Sequence, residues 1–208
     1  QEPMLAGVIA GNQLEQHWDG KDQAVDFYDV KGDLESVLQA SGVVADVDLV
    51  VAQHSARHPG QSAEIRLGDQ LIGWLGAIHP QFEKSLGLAG RTFVFELFIE
   101  QIQSRQLPEA QAISKYPANR RDIAIVVDES INLGDIRRYV EKIGVNQLVD
   151  LNLFDVYKGQ GIEPGFKSLA LSLVLQDPDK TLEESEIQQA VETIVQGLES
   201  EFGAALRE

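Results

Sequence analysis

The 208-residue sequence contains no cysteine, which excludes disulfide bonds, thiolate metal ligands and a cysteine nucleophile. It has no run of about 18 apolar residues, so no segment is predicted to span a membrane as a helix. Basic residues are scarce as well, with 17 Lys and Arg against 33 Asp and Glu and a net charge of −16. Hydrophobic residues make up 43% of the chain, enough for a real core. The expected class is a globular protein of the reducing cytoplasm.

The distribution of charge bears on nucleic-acid binding, because contacts to phosphate require Lys and Arg. Residues 114–176 carry eight basic and eight acidic residues, whereas residues 1–113 carry seven and sixteen. From residue 177 onward, nine acidic residues stand against only Lys180 and Arg207. This pattern is compatible with one short, specific RNA contact in the neutral zone. It argues against DNA binding and against general nucleic-acid binding.

The start of the chain and one irregular stretch indicate its organisation. Gln1-Glu2-Pro3 has neither an initiator methionine nor a targeting pattern, so we expect the chain to be part of a longer polypeptide. Residues 101–117 break the hydrophobic periodicity and include two prolines, which is typical of a domain boundary. We therefore predict one domain over residues 1–112 and a second over residues 113–208.

The first half is predicted to be an α+β layer of mostly antiparallel strands with one packed helix. Between Asp29 and Ser41 the apolar residues fall on one helical stripe, and Gly42 is placed as a C-terminal cap. Leu5–Ala10 is an apolar run suited to a buried strand, and Gly68-Asp69 suggests a hairpin. The other predicted strands are Ala45–Val51, Ala63–Leu67, Leu71–Ile78 and Thr92–Phe98.

The second half shows a clearer order of elements. The predicted strands are Arg121–Val127, Leu148–Tyr157, Ser168–Leu175 and a short one near Ala204–Arg207. Helical stripes lie at 133–143 and 187–198, and Thr181-Leu-Glu-Glu184 is predicted to be the capping box of the second helix. The resulting order, βαββαβ, is that of a ferredoxin-like α+β sandwich. Such a sandwich carries helices on one face of its sheet and leaves the other face open.

Seven motifs occur in order along the chain. The first half contains Phe27-Tyr-Asp-Val-Lys-Gly-Asp-Leu-Glu35, His58-Pro-Gly-Gln-Ser-Ala63 and Gly73-Trp-Leu-Gly-Ala-Ile-His-Pro80. The second half contains Lys115-Tyr-Pro with Arg121-Asp-Ile-Ala, Leu153-Phe-Asp-Val-Tyr157-Lys-Gly, Gly165-Phe-Lys-Ser168-Leu-Ala, and Thr181-Leu with Phe202-Gly-Ala-Ala-Leu-Arg207. The later motifs resemble the ferredoxin-fold anticodon-binding domain of phenylalanyl-tRNA synthetases. The earlier ones are similar to the catalytic-like region that precedes this domain in bacterial β-subunits.

The resemblance implies a division of labour in which this chain does no chemistry. In the family the α-subunit activates phenylalanine with ATP, so no catalytic residue, cofactor or metal site is expected here, and ATP and Mg²⁺ are expected elsewhere in the holoenzyme. The catalytic-like domain packs against the α-subunit in an (αβ)₂ heterotetramer. The C-terminal domain reaches the anticodon of tRNA(Phe). The editing site belongs to earlier domains of the β-subunit.

Tyr157 is the first candidate for an RNA contact, because unpaired bases commonly stack on aromatic side chains. The resemblance implies that Tyr157 stacks on the first anticodon base, with Asp155 nearby. Strand parity leaves its orientation open. If Leu153 faces inward, so do Asp155 and Tyr157. A bulge upstream that turns Phe154 and Val156 inward would free them, and otherwise Tyr157 closes the edge of the core.

The other candidate RNA contacts are hydroxyl and basic residues. Ser168 and Ser172 alternate with leucines, which predicts them on the open sheet face, where hydroxyls can bond to base edges. For Ser172, plain solvent exposure is the favoured interpretation. Three basic residues at the start of the first strand of this half are candidate phosphate contacts: Arg120, Arg121 and Lys115. For Arg121 an ion pair with Asp122 at the strand start is an equal alternative.

A different class of function is also compatible with a ferredoxin-like fold, because such domains serve as small-molecule sensors. A regulatory module of this kind would bind an amino acid at a dimer interface and would not need the aromatic motif at 154–157. His54 and His58 have the i, i+4 spacing of a zinc site. Pro59 disfavours a helix there and no third ligand is obvious, so no metal site is predicted.

Overall fold

The computed structural model describes residues 2–15, 17–43, 47–103 and 113–207. The chain divides into two compact units, Gln1–Glu109 and Ala110–Glu208, each with its own hydrophobic core. The predicted domain boundary at residue 112 lies outside the described residues. Within those residues no helix is long and apolar enough to cross a membrane.

Over the residues that the structure describes, the first unit is an antiparallel sheet with three helices. Its strands are β1 (Met4–Ala10), β2 (Val47–Val51), β3 (Arg57–Leu67), β4 (Gln70–Ile78) and β5 (Thr92–Phe98). Its helices are α1 (Phe27–Ser41), α2 (Pro80–Leu86) and α3 (Ile99–Ile102). The strand order is β1-β5-β4-β3-β2, and α1 packs its apolar stripe against β4 and β5. The α+β class predicted for this half is confirmed.

Helix α1 forms because both of its ends are capped and one of its sides is apolar. The Asp26 carboxylate accepts hydrogen bonds from the backbone nitrogens of Tyr28 and Asp29 at 2.7 and 3.2 Å. The Asp29 carboxylate in turn accepts from the Asp26 nitrogen at 2.6 Å, which completes a capping box. Gly42 ends the helix with a φ of 82°, as predicted. The side chains that α1 buries are Val30, Leu34 and Leu38.

Several expectations for the first unit are corrected. β1 is an edge strand bordered only by β5, so Val8 is 71% exposed and the strand is not buried. β3 begins at Arg57, ahead of the predicted start, because a register shift between Arg57 and Ser62 lets the strand include Pro59. The short helices α2 and α3 were not predicted. The predicted strand start at Ala45 lies outside the described residues.

Two glycines of the first unit are required by the backbone itself. Gly68 adopts a φ of 57° in the predicted hairpin between β3 and β4, a conformation that other residues rarely adopt. Gly73 lies in β4 where a Cβ atom would collide with the backbone oxygen of Glu96 on β5. The spacing of Gly73 and Gly76 therefore reflects close strand packing and not a phosphate-binding loop.

The second unit has the predicted order βαββαβ. Its elements are β6 (Asn119–Asp128), α4 (Leu133–Ile143), β7 (Leu148–Tyr157), β8 (Phe166–Leu175), α5 (Glu184–Phe202) and β9 (Ala205–Leu206). The sheet order is β7-β8-β6-β9 with every neighbouring pair antiparallel. This is the ferredoxin-like sandwich expected from the sequence.

The two helices of this unit cover only one face of its sheet. Alternate residues of β6 and β8, among them Ile125, Val127, Leu171 and Leu173, are buried against the helices. The remaining residues of these strands lie on the opposite face, which we call the helix-free face. It carries Arg120, Asp122, Ala124 and Val126 of β6 and Ser168, Ala170, Ser172 and Val174 of β8.

The capping box predicted at Thr181–Glu184 is wrong by two positions. Helix α5 begins at Glu184, and its capping box is formed by Glu183 and Glu186. The Leu182 side chain is buried against the ends of β8 and α5, so the chain is still entering the core at that point. Burial of Leu182 thus delays the helix beyond the position that the Thr-x-x-Glu pattern indicates.

Candidate nucleic-acid interface

A β-bulge decides the orientation of the aromatic motif on β7. Leu151 and Leu153 lie opposite Leu173 and Leu171 and face the core. The register then shifts between Leu153 and Asp155, so that Asp155 lies opposite Ala170 and Tyr157 opposite Ser168. Because directly opposed residues share a face, both Asp155 and Tyr157 lie on the helix-free face. A bulge therefore frees Asp155 and Tyr157, but it lies at Phe154 itself and does not turn Phe154 inward as the bulge considered from the sequence would have done.

Tyr157 is partly exposed and its ring is held from two sides. Its side chain is 37% exposed, and its hydroxyl donates to the backbone oxygen of Gln160 at 3.2 Å. The guanidinium carbon of Arg207 lies 5.2 Å from the ring centre, within range of a cation–π interaction. Arg207 follows β9, and its backbone nitrogen donates to the Ala124 oxygen at 2.8 Å. The arginine therefore reaches across the small residues of the face to the tyrosine.

Further basic groups lie at the same end of the sheet as Tyr157. The Lys158 ammonium pairs with the Glu129 carboxylate at 3.3 Å, and the Lys167 ammonium donates to the Glu129 backbone oxygen at 3.0 Å. Burial lowers the pKa of Lys167, and the charge of Lys158 lowers it further. An approaching phosphate would relieve this repulsion. Lys158 directly follows Tyr157 in the chain, whereas Lys167 lies opposite Val127, a residue of the helix-covered face.

Phe154 and Arg120 form a second aromatic–cation pair on the helix-free face. Phe154 is the extra residue of the bulge and is 54% exposed, so it does not turn inward. The Arg120 guanidinium carbon lies 5.7 Å from the centre of its ring. The same guanidinium donates to the Asp122 carboxylate at 2.9 Å, which lowers the pKa of Asp122. Arg120 is thus held over Phe154 by a carboxylate on its own strand.

The solvent exposure expected for Ser172 is wrong, and Ser168 is buried as well. Ser168 and Ser172 lie on the helix-free face, yet they are only 3% and 4% exposed. They belong to β8, an inner strand bordered by β7 and β6. The Ser172 hydroxyl also bonds to the Asp122 carboxylate. Ser168 lies beneath the site beside Tyr157, where its burial limits direct contact with a base.

The structure does not bring Arg121 and Lys115 to this group. The Arg121 guanidinium donates to both carboxylate oxygens of Glu184 at 2.9 and 2.7 Å, at the start of α5. Lys115 is exposed in a segment fixed by the bond from the Ser114 hydroxyl to the Asp177 oxygen at 3.0 Å. That segment lies beside the end of β8 away from Tyr157, roughly 20 Å along the strand.

Sequence reasoning missed Phe154 and Arg207 as members of this surface, and Lys158 at its edge. The orientation of Phe154 was left open, because parity could not be applied without knowing where the bulge falls. Arg207 is fifty positions after Tyr157 in sequence, and only the pairing of β9 with β6 brings it near. The sequence did contain one clue to Arg207, because it ends the closing motif that carries the family resemblance. Hydrophobic periodicity alone gives no reason to place it near Tyr157.

Two protein-family profiles match the chain and together cover most of it. Residues 1–99 match the profile described as phenylalanyl tRNA synthetase beta chain CLM domain. Residues 114–207 match the ferredoxin-fold anticodon binding domain. The second match coincides with the unit that carries the helix-free face.

Similar proteins agree with these profiles along the whole chain. Over all 208 residues the chain is 53% identical to the phenylalanine–tRNA ligase beta subunit of Shewanella oneidensis. It is 52% identical to that of Dickeya dadantii and 51% identical to that of Yersinia pestis, again over its full length. It spans 26% of the length of each of these relatives. From its two domain matches and this similarity, the chain belongs to the family of phenylalanyl-tRNA synthetase β-chains.

Proposed function

We propose that the second unit binds the anticodon region of tRNA(Phe) through its helix-free face. The observation that carries the proposal is the β7 bulge, which places Tyr157 and Asp155 on that face with Arg207 over the tyrosine ring. A base stacked on tyrosine contributes roughly 1–3 kcal/mol, and the nearby carboxylate can accept hydrogen bonds from a base edge. The names of the matching profile and of the relatives support the same ligand.

The arrangement suggests how the unpaired base is received. In the free chain the Arg207 guanidinium occupies the space near the Tyr157 ring. A base that stacks on Tyr157 takes the place of this cation or lies beside it, and the guanidinium then reaches the base or its phosphate. Lys158, which directly follows Tyr157, is placed to contact a neighbouring phosphate, a contact that positions the RNA without reading its sequence. Asp155 is the group that distinguishes between base edges.

The first unit serves a different purpose in this proposal. It packs against the α-subunit of the ligase in an (αβ)₂ assembly in the cytoplasm, and α carries out ATP-dependent aminoacylation with its own ATP and Mg²⁺. The β-chain name of the matching profile supports such a partner. So do two exposed apolar side chains of this unit, Val8 on β1 at 71% and Trp18 at 96% exposure.

The anticodon contact acts at a distance from the chemistry. Binding energy from the helix-free face positions the tRNA so that its acceptor end meets the active site of α. The alternative of a small-molecule-sensing module is not favoured, because both halves of the chain match β-chain domains of the synthetase.

An assay of the reassembled ligase tests this division of labour. We expect Tyr157→Ala in the β-subunit to lower kcat/KM for tRNA(Phe) by roughly 5- to 150-fold, the loss expected for one stacked base. Phenylalanine activation, measured by pyrophosphate exchange, is expected to stay unchanged.

Tyr28→Ala supplies the matched control for that assay. It removes another exposed tyrosine, 74% accessible on α1 of the first unit, and leaves the helix-free face intact. It should leave tRNA use unchanged. A loss of phenylalanine activation with Tyr157→Ala would instead indicate misfolding or a broken contact with α, and the anticodon proposal would lose its support.

A further inference from the structure

Phe154 is a large apolar side chain that is exposed to solvent. It is 54% exposed, although Leu151 and Leu153 on the same strand are packed in the core. In a regular strand, residues three apart point to opposite faces, so Phe154 and Tyr157 could not share a surface. The bulge between Leu153 and Asp155 is what makes them share one. A single irregularity thus presents two aromatic rings to the same side of the sheet.

Each ring is paired with an arginine from a different part of the unit. Arg120 of β6 lies over Phe154 at 5.7 Å, and Arg207 after β9 lies over Tyr157 at 5.2 Å. Phe154 and Tyr157 are three positions apart on β7, which corresponds to on the order of 10 Å of strand. That separation is too large for one base to touch both rings. It suits two separate bases of one strand.

The environment of the Phe154 ring matches an unpaired nucleotide. Its flat, apolar surface accepts the face of any base, and the guanidinium beside it can stack on that base or bond to its phosphate. Arg120 keeps its place because it donates to Asp122 at 2.9 and 3.4 Å, while its side chain stays 61% exposed. The cation is therefore both positioned and accessible.

We infer that Phe154 and Arg120 form a second base-stacking site, which holds an unpaired nucleotide of the loop other than the one held at Tyr157. The inference rests on the proposed function and extends it from one stacked base to two. The Arg120 guanidinium contacts both the base and its phosphate. The Phe154 ring supplies most of the stacking surface. Because a stacking platform tolerates every base, this site adds affinity and spacing more than sequence discrimination.

A double-mutant cycle with abasic RNA tests the inference. The 208-residue chain is titrated with a labelled tRNA(Phe) anticodon stem-loop and with versions that lack one loop base at a time. We expect Phe154→Ala to weaken binding of the intact loop roughly 5- to 150-fold, and Arg120→Ala to weaken it less. At one loop position, removing the base should weaken binding by the unsubstituted chain but should cause little further loss in the Phe154→Ala variant. That position should differ from the one that couples to Tyr157.

Val156→Ala provides the control for strand integrity. Val156 is 48% exposed on the same strand but lies opposite Leu169, on the other face of the sheet, so its truncation should leave RNA binding unchanged. The inference is overturned if Phe154→Ala behaves like Val156→Ala, or if Phe154 and Tyr157 couple to the same base. If Tyr157→Ala weakens binding and Phe154→Ala does not, only the second site fails. If the unsubstituted chain does not bind the loop, the proposed function fails and the second site with it.

Discussion

At the scale of single residues, neighbouring arginines in β6 have separate tasks. Arg120 faces the helix-free side, where it meets Phe154 and Asp122. Arg121 faces the helices and bonds to both carboxylate oxygens of Glu184. The sequence alone left Arg121 equally open to a phosphate contact or an ion pair. The contacts favour an ion pair, but its partner is Glu184 and not the expected Asp122, which pairs with Arg120 instead.

This assignment of Arg121 makes a prediction about stability. Arg121→Met should lower the free energy of unfolding of the second unit by about 0.2–1 kcal/mol, the range for exposed pairs, since the Arg121 and Glu184 side chains are 38% and 75% exposed. Urea unfolding of the chain measures the change. Binding of the anticodon stem-loop should not weaken.

Glu184→Gln is the matched control for Arg121→Met. It breaks the same ion pair from the other side, so it should lower stability by a similar amount, and the double variant should show that the two effects are not additive. A phosphate-binding Arg121 would behave differently. In that case Arg121→Met would weaken RNA binding and Glu184→Gln would not.

At the scale of secondary-structure elements, two glycines of the first unit illustrate opposite constraints. Gly32 lies inside α1 with open space around it, whereas a Cβ atom at Gly73 in β4 would meet the Glu96 backbone. Gly32→Ala should therefore stabilise the first unit by about 0.5–1 kcal/mol. Gly73→Ala should destabilise it by about 1–3 kcal/mol or more through overpacking.

Both changes are measured on the same unfolding transition, which makes them a matched pair. Denaturant midpoints for the two variants should move in opposite directions from that of the unsubstituted chain. Equal destabilisation by both would contradict the backbone contact assigned to Gly73. It would also show that helix propensity does not govern α1 at Gly32.

Regular elements were predictable because their periodicity is local. The alternation of leucines and small residues in β8 and the apolar stripes of α4 and α5 indicated the βαββαβ order directly. The bulge in β7 could not be located, since either phase of Leu153 and Phe154 satisfies an apolar pattern. The burial of Ser168 and Ser172 depends on which strands flank β8, and that is a property of the assembled sheet. Arg207 needed the same assembled sheet to be found.

At the scale of the whole molecule, the net charge of −16 determines what kind of RNA binding is possible. The chain lacks the broad positive field that general nucleic-acid binding uses. Its affinity must come from a few placed groups, two aromatic rings and the cations beside them, on one face of the second unit. A short loop of unpaired bases suits such a surface better than a duplex, whose bases are already stacked.

Anticodon binding by the helix-free face is tested most directly by a low-salt titration of the chain with the tRNA(Phe) anticodon stem-loop. The titration is repeated with the first anticodon base changed and with Tyr157→Ala. We expect the unsubstituted chain to bind the loop, and each change alone to weaken binding. Once Tyr157 is replaced, changing the base should have a much smaller effect, because the two groups contact each other. Binding that is indifferent to both changes would contradict the assignment of Tyr157 and the helix-free face as the anticodon site.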